Sequence, residues 1–162
     1  MLQLNEYFDE MVQAVQNHGG VVDKFIGDAI MVSFGGVKQL DSPAQAAVAA
    51  ALEMRVRLRA LNARWAEEGD SRKESFRTGI GIHYAEVVQG VLGSRDRKEY
   101  SVLGDGVNVA ALIESLTKKL DADILISRSV REYLDPDIAV ARIGRVQLRG
   151  RQEPVELFSL PE

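Results

Sequence analysis

Between Pro43 and Trp65 the chain repeats one apolar stripe, Ala47, Ala51, Met54, Leu58, Leu61 and Trp65, at steps of four and three. That spacing predicts a long helix with one buried face, which must lie against another element. Ser42, Pro43 and Gln45 supply its cap, its first-turn proline and its capping-box partner, and the polar segment EEGDSRKES ends it as a loop. A second stripe, Leu4, Phe8, Met11, Val12 and Val15, predicts a helix at the start of the chain, closed by His18, Gly19 and Gly20.

Elsewhere the period changes. VVDKFIGDAIMVSFG, residues 21 to 35, reads as two apolar strands folding back at Gly27 and Asp28, and RTGIGIHYAEVVQGVLGS reads as two more. SRDRKEY is a charged connector, and SVLGDGVNVAALIESLTKK passes from a short strand into a helix with the stripe Val109, Leu112, Ile113, Leu116 and Leu120. A strand ADILIS, a helix from about Arg128 to Leu134, and closing strands near 138 to 149 and 154 to 159 complete the order. Long helices interleaved with hairpin-spaced strands predict an α+β fold, with helices covering one face of a mainly antiparallel sheet.

At 162 residues with 46% hydrophobic content, the chain holds enough apolar material for one core, so a single domain over residues 1 to 162 is expected. A net charge of −4 gives no basic field for nucleic acid, and no run approaches the roughly 18 apolar residues of a membrane span. The absence of cysteine excludes disulfides and thiolate chemistry, and the start of the chain lacks a signal-peptide pattern. A cytoplasmic location is expected.

Taken singly, the polar candidates have plain structural readings. Gly27 and Asp28 form a favoured two-residue hairpin turn. Asp105 before a helix reads as an N-cap, Asn108 as a first-turn polar residue, and Lys24 as a lysine snorkelling from a strand edge. His83 reads as a hydrogen-bonded core histidine. No Ser-His-Asp set, P-loop or paired-histidine motif offers other chemistry.

The combination is more specific. DKFIGDAIMVSFG, GIGIHYAEVVQGVLGS, YSVLGDGVNVAALIE and VQLRGRQEPVELFSL, in that order and at that spacing, resemble the catalytic domain of class III adenylate and guanylate cyclases from about Leu4 to the chain's end. The resemblance implies a ferredoxin-like, palm-type antiparallel sheet with helices packed on one face. It also implies two-metal catalysis with Mg²⁺ or Mn²⁺, and a site shared between two subunits. Asp28 stands where the family places a metal acid, and carboxylate oxygens are the hard ligands these cations take. Lys24 and Ser101 stand at the base-contacting positions, Asn108 at the position that orients the ribose or the transition state, and Arg149, with Arg151, at the position that meets the terminal phosphates. An arginine there, in place of the family's usual lysine, keeps the charge and adds donors. Guanylate-specific members commonly carry an acid at the lysine position, so Lys24 with a small hydroxyl residue at 101 points to ATP. The implied product is cyclic AMP, with pyrophosphate released, and the implied partners are ATP and a second cyclase domain, in a homodimer or a mixed pair.

Two departures accompany the resemblance. The family domain opens with a strand that bears the first metal acid, whereas this sequence begins in the following helix. An arginine is usual four residues after Asn108, and here that position is Leu112. Ala85 also replaces a usual glycine. These departures leave open a second reading, a degenerate cyclase-homology domain that binds nucleotide or regulates by dimerising. A diguanylate-cyclase-like palm domain is a more distant third, because HGGVVDKF lacks an acidic signature after its glycine pair.

Overall fold

The computed structural model describes residues 2 to 162, apart from the side chain of Tyr100. The chain forms two compact units, residues 1 to 78 and 79 to 162.

The first unit contains α1 (Leu2–Asn17), β1 (Val21–Ile26), β2 (Ala29–Ser33) and α2 (Pro43–Glu68). Ser42 caps α2 as its sequence predicts, accepting the Gln45 N–H on its hydroxyl at 3.3 Å. The helix stripe is rotated slightly from the expected one: Ala44, Val48, Ala50, Ala51, Leu58, Leu61 and Trp65 are buried, whereas Ala47 and Met54 are only partly covered. In α1 the innermost residues are Tyr7, Met11, Ala14 and Val15. Tyr7, Met11, Leu58, Leu61 and Trp65 form the core where the two helix faces meet. Phe76 closes it edge-on to both Trp65 and Tyr7, with ring centroids 5.0 and 5.6 Å apart. The Asn62 amide fixes that phenylalanine by pairing with its backbone N–H and C=O at 2.9 Å each. Full burial of an aromatic or aliphatic side chain of this size contributes about 1.5 to 3 kcal/mol, so each of these side chains is a substantial share of the unit's core.

β1 and β2 pair antiparallel across a two-residue turn, with Gly27 in the left-handed region at φ 60°, as the Gly-Asp pair predicts. The apolar composition of this ribbon suggests burial, yet Phe25 and Ile26 are about half exposed at its tip.

The second unit contains β3 (Ile80–Ile82), β4 (Val88–Gly93), β5 (Lys98–Leu103), α3 (Asp105–Ser115), β6 (Ile124–Ser127), α4 (Arg128–Arg131), β7 (Ala141–Val146) and β8 (Val155–Ser159). Its sheet has the order β3-β6-β8-β7: β3 and β6 are parallel, and the two pairings of β8 are antiparallel. β6 is buried at every position, as the central strand of a covered sheet should be. Val109 and Ile113 of α3 pack with Leu125, Leu148 and Leu157, and Leu112, Leu116 and Leu120 cover that cluster.

Three element boundaries differ from the sequence reading. β5 begins at Lys98, inside the segment read as a charged connector, because pairing with β4 runs on to Gly93. α4 stops at Arg131 and continues to Leu134 only as i to i+3 turns. Pro136 follows, and a residue before proline is held out of the helical region. α3 ends at Ser115, and Leu116 and Leu120 reach the core from turns beyond it.

Candidate active site

The six residues singled out above fall into two groups. Lys24 and Asp28 belong to the first unit, and Ser101, Asn108, Arg149 and Arg151 belong to the second.

On the first ribbon, Asp28 is the second turn residue and is exposed. Gly27, at φ 60°, lets the chain reverse in two residues, which places the carboxylate at the ribbon's tip. Lys24 sits one turn-length back on β1, with its side chain 42% exposed and its Nζ 3.7 Å from Asp23 Oδ2. Asp28 is a hard oxygen donor of the kind Mg²⁺ and Mn²⁺ accept, and such ions commonly take one or two carboxylates together with substrate phosphates. No group of three or more His, Cys, Asp or Glu side chains lies together among the described residues. The residues present thus fit one protein ligand of a metal held largely by phosphate.

In the second unit, Ser101 lies on β5 opposite Gly90 of β4. Its side of the β4–β5 ribbon lines a 290 Å³ depression together with Leu92, Gly93, Ser94, Arg97 and Glu99. Asn108 is exposed in the first half of α3. Leu112, one turn further on, packs onto the core cluster of that helix, which is the structural role its stripe position predicts. Arg149 is exposed in the connection between β7 and β8.

Arg151 is half-buried, and its guanidinium donates to both carboxylate oxygens of Asp105 at 2.7 Å. This corrects the reading of Asp105 as a cap. Gly104 occupies the cap position, and Asp105 is the first residue of α3, where an acid favours the positive end of the helix dipole. The ion pair joins the β7–β8 connection to the first turn of the helix that carries Asn108. The pairing was not visible in the sequence, because 46 residues separate its partners.

His83 is the hydrogen-bonded histidine its context predicts: Nδ1 lies 2.8 Å from Ser127 Oγ. Burial holds its pKa below the usual imidazole value, the Arg151 charge adds to that, and Asp105 opposes it. Ala85 lies against Gly106, where an added Cβ would come within 2.7 Å of the alanine methyl, so the departure at 85 is absorbed by that neighbour.

A family profile described as "Adenylate and Guanylate cyclase catalytic domain" matches residues 1 to 161. The chain belongs to that family. An adenylate cyclase of Anabaena cylindrica is 36% identical to this cyclase domain over 161 residues, covering 97% of the domain and 31% of that protein. An uncharacterized protein of Mycobacterium tuberculosis is 35% identical over 161 residues, covering 98% and 26%. The domain therefore spans about a third or less of these relatives' length. Among solved structures, the adenylyl cyclase CyaB from P. aeruginosa superimposes with a TM-score of 0.88 at 29% identity, covering 99% of this chain and 81% of that one. The guanylyl cyclase Cya2 gives 0.87 at 35% identity, covering 98% and 78%. The fold is thus the α+β fold of the cyclase catalytic domain, in a family that uses divalent metal. No helix among the described residues is long and apolar enough to cross a membrane.

Proposed function

We propose that this domain serves an adenylate cyclase, converting ATP to cyclic AMP and pyrophosphate in cyclic-nucleotide signalling, at a site completed by a second cyclase domain. The observation that carries the reading is the β1–β2 ribbon, which presents an exposed ammonium and an exposed carboxylate four residues apart, Lys24 and Asp28, in the family's order. The relative of Anabaena named as an adenylate cyclase supports the same substrate class.

In the reaction the ribose 3′-oxygen forms a bond to the α-phosphorus, the bond from that phosphorus to the bridging oxygen breaks, and the hydroxyl proton leaves. A bound divalent cation supplies charge neutralisation on the phosphates and lowers the pKa of the attacking hydroxyl. Asp28 would hold that cation at one of two composite sites, and Lys24 of the same chain would serve the other. Lys24 donates to an acceptor nitrogen of adenine, where guanine would present an N–H, and the Ser101 hydroxyl completes the base contact. Asn108 orients the ribose, and Arg149 and Arg151 draw the terminal phosphates. On this reading Arg151 must exchange Asp105 for phosphate when nucleotide binds.

A second reading, a nucleotide-binding or regulatory domain of low turnover, is favoured by Leu112. Its side chain is committed to packing at the position where the family usually carries a cation. A donor acting on developing charge is typically worth about 10² to 10³ in rate. The deciding experiment measures cyclic AMP and cyclic GMP formation with Mn²⁺, in this chain and in a form extended at its start by the family's first strand. Little or no turnover in this chain is expected, and in the extended form adenylate cyclase activity that prefers ATP and is weakened in that preference by Lys24→Glu. Metal-dependent ATP binding without turnover in the extended form would support the regulatory reading, and equal use of GTP would remove Lys24 as the base reader.

A further inference from the structure

Among the described residues, Asp23 carries buried side-chain oxygens without a hydrogen-bond partner. Its side chain is 1% exposed. An ionised carboxylate taken out of water without donors is strongly unfavourable unless an opposite charge compensates it. The Lys24 ammonium lies 3.7 Å from Asp23 Oδ2.

Neighbouring residues of a regular strand point to opposite faces, so residues 23 and 24 should not meet. The pairing explains why they do. Val22 faces Val32 and Lys24 faces Met31, so Asp23 is an extra residue with no partner across the ribbon. A bulge of this kind re-aims side chains on the strand that carries it. Here the Asp23 carboxylate lies 3.7 Å from the Lys24 ammonium, with the Asp23 side chain buried and that of Lys24 accessible.

We propose that Asp23 is a positioning residue for Lys24, which it turns from a mobile surface cation into a fixed hydrogen-bond donor and thereby sets the purine preference of the domain. This rests on the reading of Lys24 as the base contact. A lysine has a flexible stem and three donors, and left free it can approach almost any acceptor on either purine. Pairing the ammonium with a buried carboxylate 3.7 Å away restricts where it can lie, and so the directions in which its N–H groups point. A donor held in one direction matches the acceptor nitrogen of adenine, whereas a mobile one can swing to the carbonyl oxygen of guanine.

The test combines nucleotide binding with a stability cycle on the full chain. Calorimetric titration with Mn²⁺-ATP and Mn²⁺-GTP should show the ATP-to-GTP affinity ratio falling at least about fivefold in Asp23→Asn, with affinity for ATP falling less than it does in Lys24→Met, as expected when a polar site loses directed discrimination rather than contact. An unchanged ratio overturns the proposal. Lys24→Met should raise the unfolding equilibrium constant at least about tenfold beside Asp23, because it strands a buried charge, and by less than about twofold when Asp23→Asn is also present. Equal effects in both backgrounds show that the pair does not exist and overturn the proposal from its structural side. The carboxyl carbon shift of Asp23, read by NMR, should move on Lys24→Met, and this readout needs no substitution at Asp23; a static signal overturns the pairing even if Asp23→Asn fails to fold. Binding of neither nucleotide by the unvaried chain sinks the base-contact reading and the role of Asp23 with it, while a coupled stability cycle in that case identifies the ion pair as structural.

Discussion

The molecule carries two antiparallel ribbons of two strands each, and they are built differently. β1–β2 is bulged at Asp23, turns in two residues, and is anchored through the Phe25 ring, 4.7 Å from Phe8 of α1, and through Ile30, which packs on the first core. β4–β5 keeps an unbroken register from Val88 to Gly93 and leaves Val88 at 70% exposure and Val91 at 62%. A two-stranded ribbon alone is marginal in water. The first is stabilised by its own helix and can hold charged groups in fixed positions. The second presents apolar side chains outward, as a surface does when a partner covers it. That contrast agrees with a family in which the domain binds nucleotide and dimerises.

The largest effect is expected at the end of the second ribbon. Gly93 has φ 131°, and a Cβ there would lie 2.0 Å from the Arg97 carbonyl oxygen, so Gly93→Ala combines a strained backbone with a backbone overlap. The cost should exceed about 3 kcal/mol, more than a lone ribbon can hold. Amide exchange in β4 and β5 should then reach unprotected rates while β6 and β8 remain protected, and retained protection in β4–β5 would show that the ribbon is firmer than its exposure implies. In the first ribbon, Phe8→Ala removes the anchor and should cost the first unit about 2 kcal/mol in denaturant unfolding. A loss below about 0.5 kcal/mol would mean the two ribbons are equally unsupported.

Val91→Asp separates folding from association. An exposed substitution should change unfolding by no more than about 0.5 kcal/mol, while a charge in a buried contact should weaken self-association at least about tenfold in sedimentation equilibrium, roughly 1.4 kcal/mol. Unaltered association would place the partner surface elsewhere.

The smallest contrast is in pH response. Hydrogen bonds from Trp65, then Arg64, hold the Glu6 carboxyl below the usual glutamate range, and Arg57 does the same for Glu53. Their contribution is present above the ordinary glutamate pKa, near 4.3, and is lost as pH falls through the lower folded values. These groups are solvent-screened, so the effect is small. His83 in the second unit is depressed chiefly by burial. It contributes stability above the ordinary imidazole value, near 6.5, that is lost as pH falls from there through its folded value. Between about pH 6.5 and 5, protection factors corrected for intrinsic exchange should therefore decline around His83 while the Glu6 and Glu53 neighbourhoods hold. A reversed order would assign the acid sensitivity to the wrong unit.

Much of this architecture was legible in residue order. The α2 stripe, its Ser42 cap, the Gly27 turn and the buried ILIS strand depend on local periodicity and local sterics, which a sequence states directly. The motif order identified the family, and the spacing of Lys24 from Asp28 on one hairpin is fixed by that turn. The expectation that Leu112 faces the core was likewise a matter of helical spacing, and the packing agrees.

What sequence could not supply were facts that depend on pairing across space. The start of β5 at Lys98 depends on how far β4 extends opposite it, and composition alone read that charged stretch as a connector. The role of Asp105 depends on Arg151, brought to the first turn of α3 by the connection between β7 and β8. The burial of Asp23 depends on a one-residue slip in register, which reverses the facing of a side chain without leaving a mark in the local pattern. Helical period, turn chemistry and motif order are properties of neighbours along the chain, so the sequence determined them. Register, ion pairing and the burial of a single carboxylate are properties of neighbours in space, and only the tertiary structure decided them.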